Sequence, residues 1–271
     1  MDAGLTGRVV LVTGASGGIG AEIVRAFADE GAVVVVHYHR RRDAAEQLAE
    51  SIPDGHAVVV GADLTNEADV ARLWQEAERE LGPIEIVVAN AGIWPVEDVP
   101  IHQMTLAQWS ETLDADLTAV FLCMRAFFRG IEEHGIDEPA AVLIGSTAAL
   151  VGEAGHADYA AAKGGLVSGL LLSLKNEIAR LAPRGRVNAV CPGWTITPMT
   201  EQFIEQPDVV TRALQTMPLR KVGRPVDVAR PVVFFASSLL SGHITGQMLT
   251  VSGGMEGRVL YEPEEIDPNN V

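Results

Sequence analysis

The stretch "DYAAAKGG", residues 158–165, sets a tyrosine and a lysine four places apart with alanines between them. On a helix, positions i and i+4 share a face, so Tyr159 and Lys163 meet. A free phenol has a pKa near 10. An ammonium beside it favours the phenolate and lowers that value, which brings the group closer to a working range for proton exchange. The alanines keep the helix face small and leave space for a bound group. Ser146 follows the buried run "AVLIG". Its hydroxyl therefore stands at the C-terminal end of a strand, where α/β sheets hold their ligands. An isolated Y-x-x-x-K is an incidental surface pair, and "GST" is ordinary turn chemistry. The weight comes from what accompanies them.

"VVLVTGASGGIGAEIV", residues 9–24, reads as strand, glycine turn and helix in that order. Gly14, Gly18 and Gly20 allow a close backbone approach that a Cβ would block. Ser16 and Ile19 sit in the same loop, and the helix N-terminus offers free N–H groups to a pyrophosphate. In dinucleotide folds an acidic residue at the end of the second strand binds the ribose hydroxyls of NAD. Here that stretch is "VVVVHYHRRRD", and the tip carries His37, Tyr38 and His39, then Arg40, Arg41 and Arg42. Asp43 lies beyond the strand tip. Forked guanidiniums suit a 2′-phosphate, and a solvated charge run is the competing reading. NADP(H) is the expected cofactor, with NAD(H) the alternative, and Tyr38, Arg40 and Arg41 are candidate contacts.

These groups need a scaffold. Short β-branched runs recur: "VVLV", "VVVV", "AVVV", "IEIVVA" at 84–89, "AAVLIG" at 140–145, "RVNAVC" at 186–191 and "MLTV" at 248–251. Such runs read as strands buried on both faces. Between them lie helical segments such as "GIGAEIVRAFADEG" and "DVARLWQEAERELG", each stopped by a glycine, Gly31 or Gly82. The alternation predicts an α/β fold: a doubly wound, Rossmann-like parallel sheet in three layers. With no composition break, residues 1–271 are expected to form a single domain. Within it, 193–217 reads as a lid over the site and the acidic stretch 256–271 as a C-terminal arm.

The glycine loop has the form T-G-x-x-x-G-x-G, and at this point the sequence resembles the short-chain dehydrogenase/reductase family, over about residues 5–255. Asp63 and Leu64 match its adenine-side motif. Asn90, Ala91 and Gly92 match the N-A-G motif that braces the sheet, and Ser146, Tyr159 and Lys163 match the catalytic set. "CPGWTITPM", residues 191–199, matches the segment beside the nicotinamide, which adds Pro192, Gly193, Thr195 and Thr197. "TGQMLTVSGG" matches the C-terminal strand region.

The resemblance implies an oxidoreductase acting on a carbonyl or secondary alcohol of a small molecule, and the arginines at the strand tip make NADP(H) its expected cofactor. It gives Tyr159 the proton, Ser146 the substrate oxygen, and Lys163 a second task at the nicotinamide ribose. One position departs from the family. Where it usually has an asparagine that helps hold a relay water, "WSETLDADLTAVF" has Asp116. A carboxylate there either keeps the backbone role or draws on Lys163 and opposes the lowering of the Tyr159 pKa.

Trp94, Leu150, Glu153 and His156, with Trp194 and Met199 from the lid, are candidate substrate-pocket residues; scaffold packing is the competing reading for each. The pattern is also similar to 3-oxoacyl-carrier-protein reductases. Arg129 fits docking of an anionic carrier, but Glu132 and Glu133 follow it, and Asn176 stands where such reductases often carry arginine. A non-catalytic dinucleotide sensor is the third class. Loss of the tyrosine or lysine would have signalled it, and both are present.

The formal net charge of −16 argues against nucleic acid or an anionic membrane as partner. No apolar run reaches the ~18 residues of a membrane helix. The two cysteines and seven histidines form no metal-like spacing, so no metal is expected. The opening "MDAGLTGR" is too short and too acidic for a signal peptide, which makes the cytoplasm the expected compartment. The family usually pairs two long helices, here about 107–130 and 157–181, across a two-fold axis. The run "LVSGLLLSL" is wider than one packed face needs, so a homo-oligomer is expected, a tetramer.

Overall fold

Valine-rich runs and glycine-stopped helices alternate along the chain, and each run forms one strand of a single sheet. The computed structural model describes residues 2–53, 56–255, 257–267 and 269. The first half runs β1 (Val9–Val12), α1 (Gly18–Asp29), β2 (Val33–Tyr38), α2 (Arg42–Glu50), β3 (Ala57–Gly61), α3 (Glu67–Leu81), β4 (Ile86–Ala89), α4 (Leu106–Leu113) and α5 (Ala119–His134). The second half runs β5 (Ala140–Ile144), α6 (Ala148–Val151), α7 (Ala157–Gly164), α8 (Leu171–Leu181), β6 (Arg186–Pro192), α9 (Glu201–Ile204), α10 (Pro207–Leu214), α11 (Pro225–Ala236), α12 (Ser238–Ser241) and β7 (Met248–Val251). The strands pair in parallel in the order β3-β2-β1-β4-β5-β6-β7. The order reverses between β1 and β4. The loops after these two strands part there, and the crevice opens at their C-terminal ends.

Strand parity divides the core. Leu11 and Val35 face one layer, with Leu73 of α3, Phe127 of α5 and Ile178 of α8. Val10, Val12 and Val36 face the other, with Ile23 and Phe27 of α1 and Val228 and Val232 of α11. Each of these buried side chains contributes about 1.5–3 kcal/mol of burial. Helix α3 starts at Asn66, whose side chain accepts from the N–H groups of Ala68 and Asp69 at 2.9 and 3.3 Å. It stops at Gly82, where φ is +85°.

One expectation needs correction. Strand β7 is not buried on both faces: Met248 and Leu249 are exposed, because β7 is an edge strand paired with β6 alone. The two long helices run unbroken over 106–134 and 157–181, each through one π-helical turn. A π-helical turn at Asp114–Thr118 joins α4 to α5, and another at Gly165–Leu170 joins α7 to α8. Such a turn inserts a residue and shifts the helix face, a device frequent at functional sites. The first turn carries Asp116, which is fully buried.

The segment 193–217 holds α9 and α10 and builds a small core of its own, in which Val210, Leu214, Met217 and Val222 pack with Ile266. The described part of the acidic arm is thereby fastened to that segment. Leu260 N–H donates to the Gln215 carbonyl at 2.8 Å, and the Gln215 side-chain amide donates to the Tyr261 carbonyl at 2.9 Å. Glu256, Pro268, Asn270 and Val271 of the expected arm lie outside the described residues.

Candidate active site

A cavity of about 1010 Å³ runs along the segments that follow strands β1 to β6. One end is the glycine loop. Gly14 has φ +62°, and a Cβ there would stand 2.9 Å from the Ala91 Cα; a Cβ on Gly18 would stand 2.9 Å from the Thr197 Cβ. Bare backbone is thus required against both walls of the crevice. Asn90 braces the loop: its side-chain amide donates to the Thr13 and Gly14 carbonyls at 2.9 and 3.2 Å. Thr13 Oγ1 accepts from the N–H groups of Asn90 and Ala91, both at 2.9 Å. The N-A-G stretch therefore ties β4 to the loop after β1.

His37 is a second brace, and no role was foreseen for it. It is buried; its Nδ1 accepts from the Gly14 N–H at 3.0 Å, and its Nε2 donates to the Ala62 carbonyl at 3.1 Å. Burial lowers its pKa to about 4. The unfolded chain takes up this proton below about 6.5 and the folded chain only near 4, so stability must fall as pH drops through that window. Between pH 7 and 5 the wild type should lose about 2 kcal/mol more than a His37→Gln variant. Denaturant melts of both proteins check this; parallel losses would show that His37 titrates normally.

Arg40 and Arg41 line the cavity, are exposed, and have no carboxylate partner among the described residues. Arg41 reaches over the glycine loop, with its Nη2 3.5 Å from where a Cβ on Gly17 would stand. Arg42 has turned away to Glu46 at 2.7 Å. Asp63 lines the same end, and its carboxyl is held below the usual range by the Thr65 hydroxyl and N–H. Tyr38 does not line the cavity. Its parity is that of Val34 and Val36, so it turns to the opposite core and covers Gly61.

At the other end stand Ser146, Tyr159 and Lys163. Lys163 Nζ lies 5.7 Å from the centre of the Tyr159 ring and donates to the Ile144 carbonyl at 3.3 Å. Asp116 Oδ2 approaches the same Nζ at 3.5 Å, while its Oδ1 accepts from the Ile93 N–H at 2.7 Å. Burial pushes the Asp116 carboxyl up, against the pull of Lys163. Burial also works against the Lys163 ammonium, but Asp116 and Tyr159 outweigh it and hold its pKa above the ordinary value. The Tyr159 phenol corrects the expectation of a lowered pKa. Burial raises it, Lys163 and the Ser146 hydroxyl pull it back, and Asp116 pushes it up again. A neutral phenol beside a fixed ammonium can give a proton to an oxygen placed between Tyr159 and Ser146.

Gly14, Ser16, Gly18, Ile19, Gly20, Leu64, Gly92, Pro192, Gly193, Thr195 and Thr197 all line this cavity, as do Trp94, Glu153, Trp194 and Met199. Phe203 of the same segment lines it too, as its place beside Trp194 and Met199 in the sequence leads one to expect, and so does Met255, to which no sequence signal points. Leu150 and His156 do not line it. Leu150 sits on the outer side of α6, 41% exposed. His156 is buried behind Trp94, stacked on it with centroids 4.9 Å apart.

A family model described as enoyl-(acyl carrier protein) reductase matches residues 14–256. A 3-oxoacyl-[acyl-carrier-protein] reductase from Synechocystis sp. is 37% identical over 93% of this chain and 98% of its own. The chain belongs to the short-chain dehydrogenase/reductase family. A cis-4-hydroxycyclohexanecarboxylate dehydrogenase from Sinomonas cyclohexanicum is 35% identical over 91% of this chain and 96% of its own. Among solved structures, a short-chain dehydrogenase/reductase described as glucose/ribitol dehydrogenase from Brucella melitensis superposes with a TM-score of 0.85 at 28% identity, covering 95% of this chain and all of the other. A putative gluconate dehydrogenase from Agrobacterium tumefaciens gives 0.87 at 26%, covering 96% and all. Membership of the short-chain dehydrogenase/reductase family makes this chain an oxidoreductase of alcohol and carbonyl groups that uses a nicotinamide cofactor. Among the described residues, no helix is long and apolar enough to cross a membrane, and no three His, Cys, Asp or Glu side chains are grouped to hold a metal ion.

Proposed function

We propose that the protein reversibly transfers a hydride between NADP(H) and a carbonyl or secondary alcohol of a small molecule. The observation that carries this reading is one cavity with two chemically distinct ends. Tyr159, Ser146 and Lys163 converge at one end, and a glycine loop with two arginines that have no carboxylate partner among the described residues forms the other. The cradle fits a dinucleotide: Gly14 and Gly18 leave no room for side chains, and the N-terminus of α1 faces the loop. Once bound, the cofactor supplies or accepts the hydride. Arg40 and Arg41 hold its 2′-phosphate, and Asp63 and Leu64 flank the adenine side. Pro192, Gly193, Thr195 and Thr197 border the nicotinamide.

In reduction, Ser146 Oγ holds the carbonyl oxygen and Tyr159 Oη gives it a proton. Lys163 keeps its charge through Asp116, steadies the phenolate that forms, and binds the ribose. The whole chain works as one catalytic unit in the cytoplasm, with 193–217 as a lid that excludes water. The apolar side chains left exposed on α5, α8 and β7 (Phe121, Leu172, Leu181, Met248 and Leu249) support a homotetramer. Light scattering should read four chains in solution, not the 28.8 kDa of one.

The likeness to a 3-oxoacyl-carrier-protein reductase supports a second reading. NADPH oxidation measured against a panel of small ketones and aldehydes, beside an acyl-carrier thioester, separates the two. Turnover of small ketones is expected. Turnover confined to the thioester favours the second reading, and NADPH binding without turnover of anything would leave a sensor.

A further inference from the structure

The substrate end of the cavity has an uneven chemistry. Three aromatic rings form one wall: Trp94 meets Phe203 edge-on at 5.5 Å, and Phe203 meets Trp194 at 6.4 Å. Set into that wall is one carboxylate, Glu153, whose Oε1 accepts from Trp94 Nε1 at 3.2 Å. Glu153 lines the cavity and lies near enough to Tyr159 for its charge to oppose ionisation of the phenol. Its side chain is 33% exposed, and its Oε2 has no hydrogen bond among the described residues. The basic side chains that line the cavity are already placed. His37, His39, Arg40 and Arg41 belong to the tip of β2, and Lys163 is held by Asp116.

Resting on the reading of the site as a carbonyl reductase, we propose that Glu153 is its specificity-determining residue: it selects substrates carrying a hydroxyl or amine donor away from the reacting carbon, and it rejects carboxylates. Covering a carboxylate oxygen with an apolar ligand removes its water and returns no bond. A donor on the substrate replaces that water, whereas a second carboxylate meets the repulsion of Glu153. Sites built around such a polar group discriminate far more sharply than apolar pockets do. The aromatic wall accepts the apolar face of the same molecule, a ring for instance. Trp94 and the stacked His156 fix the carboxylate: His156 Nδ1 lies 3.7 Å from Oε1 while its Nε2 donates to the Pro95 carbonyl at 2.8 Å. Burial moreover pushes the Glu153 carboxyl up, against the pull of His156 and the Trp94 hydrogen bond.

The test uses four cyclohexanones that differ at C4 alone: 4-hydroxycyclohexanone, 4-aminocyclohexanone, 4-methylcyclohexanone and 4-oxocyclohexanecarboxylate. Turnover with NADPH is measured in the wild type and in Glu153→Gln, which keeps the acceptor for Trp94 and loses the charge. Binding of the same ketones to the complex with oxidised NADP, which cannot reduce them, is measured by calorimetry. In the wild type, kcat/KM for the better donor-bearing ketone should exceed that for the carboxylate by ~10²-fold, carried mostly by KM. In Glu153→Gln that ratio should fall to within a few-fold, because the carboxylate gains. A larger loss for the amine than for the alcohol in the variant identifies a cationic substrate; the reverse identifies a neutral one. A wild type that prefers the carboxylate, or a variant with an unchanged ratio, overturns the assignment. Should no ketone turn over, the proposed reaction fails, while the calorimetric ratio still decides the role of Glu153.

Discussion

Tyr159→Phe is expected to fold, to bind NADPH as the wild type does, and to reduce carbonyls at least ~10²-fold more slowly, the scale of general acid catalysis. The substitution keeps the ring that faces Lys163 at 5.7 Å and removes the proton-bearing oxygen. Burial holds the phenol above its ordinary pKa, so near neutrality it carries the proton that reduction consumes. Alcohol oxidation needs the phenolate and should rise with pH. Asp116 tunes that limb: its carboxylate raises the phenol's pKa, both directly and through Lys163, whose charge it engages. Asp116→Asn keeps an acceptor for the Ile93 N–H and removes the charge, so the pH–rate limb for oxidation should move to lower pH. An unmoved limb would show that Asp116 has no charge coupling to the site. Undiminished reduction by Tyr159→Phe, with a verified ketone, would overturn the mechanism.

What was legible in the sequence follows from how far each signal reaches. The run "VVLV" followed by T-G-x-x-x-G-x-G specifies a strand, a bare turn and a helix within 24 residues, and the cradle formed as expected. The Tyr159–Lys163 pair needed one helical turn and no tertiary knowledge. "MLTV" looked like a buried strand because periodicity reports the strand and not its place in the sheet; β7 is at the edge. The π turns at 114–118 and 165–170 were not legible, since an inserted residue leaves the helical spacing on either side intact. His37 and Tyr38 illustrate a signal that was present and unused. Val34 and Val36 face one core and Val35 the other, so His37 and Tyr38 had to point to opposite faces. His156 was misplaced because its distance from Tyr159 along the chain says nothing about Trp94 lying between it and the cavity.

Replacing Arg40 and Arg41 together by alanine should weaken NADPH binding by ~10²-fold and NADH binding by no more than a few-fold. Charge-assisted hydrogen bonds contribute about 1.5–3 kcal/mol each, and two of them account for that factor. The direction comes from what surrounds them. The tip of β2 offers His39 where an acid would grip the ribose hydroxyls of NAD, and the nearest carboxylate to His39, that of Asp63 at 4.0 Å, is already held by Thr65. Neither arginine has a carboxylate among the described residues to neutralise it. Arg42 supplies the control. Its guanidinium already pairs with Glu46 at 2.7 Å, so Arg42→Ala should leave both affinities nearly unchanged. If losing Arg40 and Arg41 weakens NADPH and NADH equally, they act as a general positive surface and the 2′-phosphate is not their partner. A wild-type preference for NADH would refute the assignment directly. It would require Asp63 to leave Thr65 and take the ribose, a movement that NADH-soaked crystals would reveal.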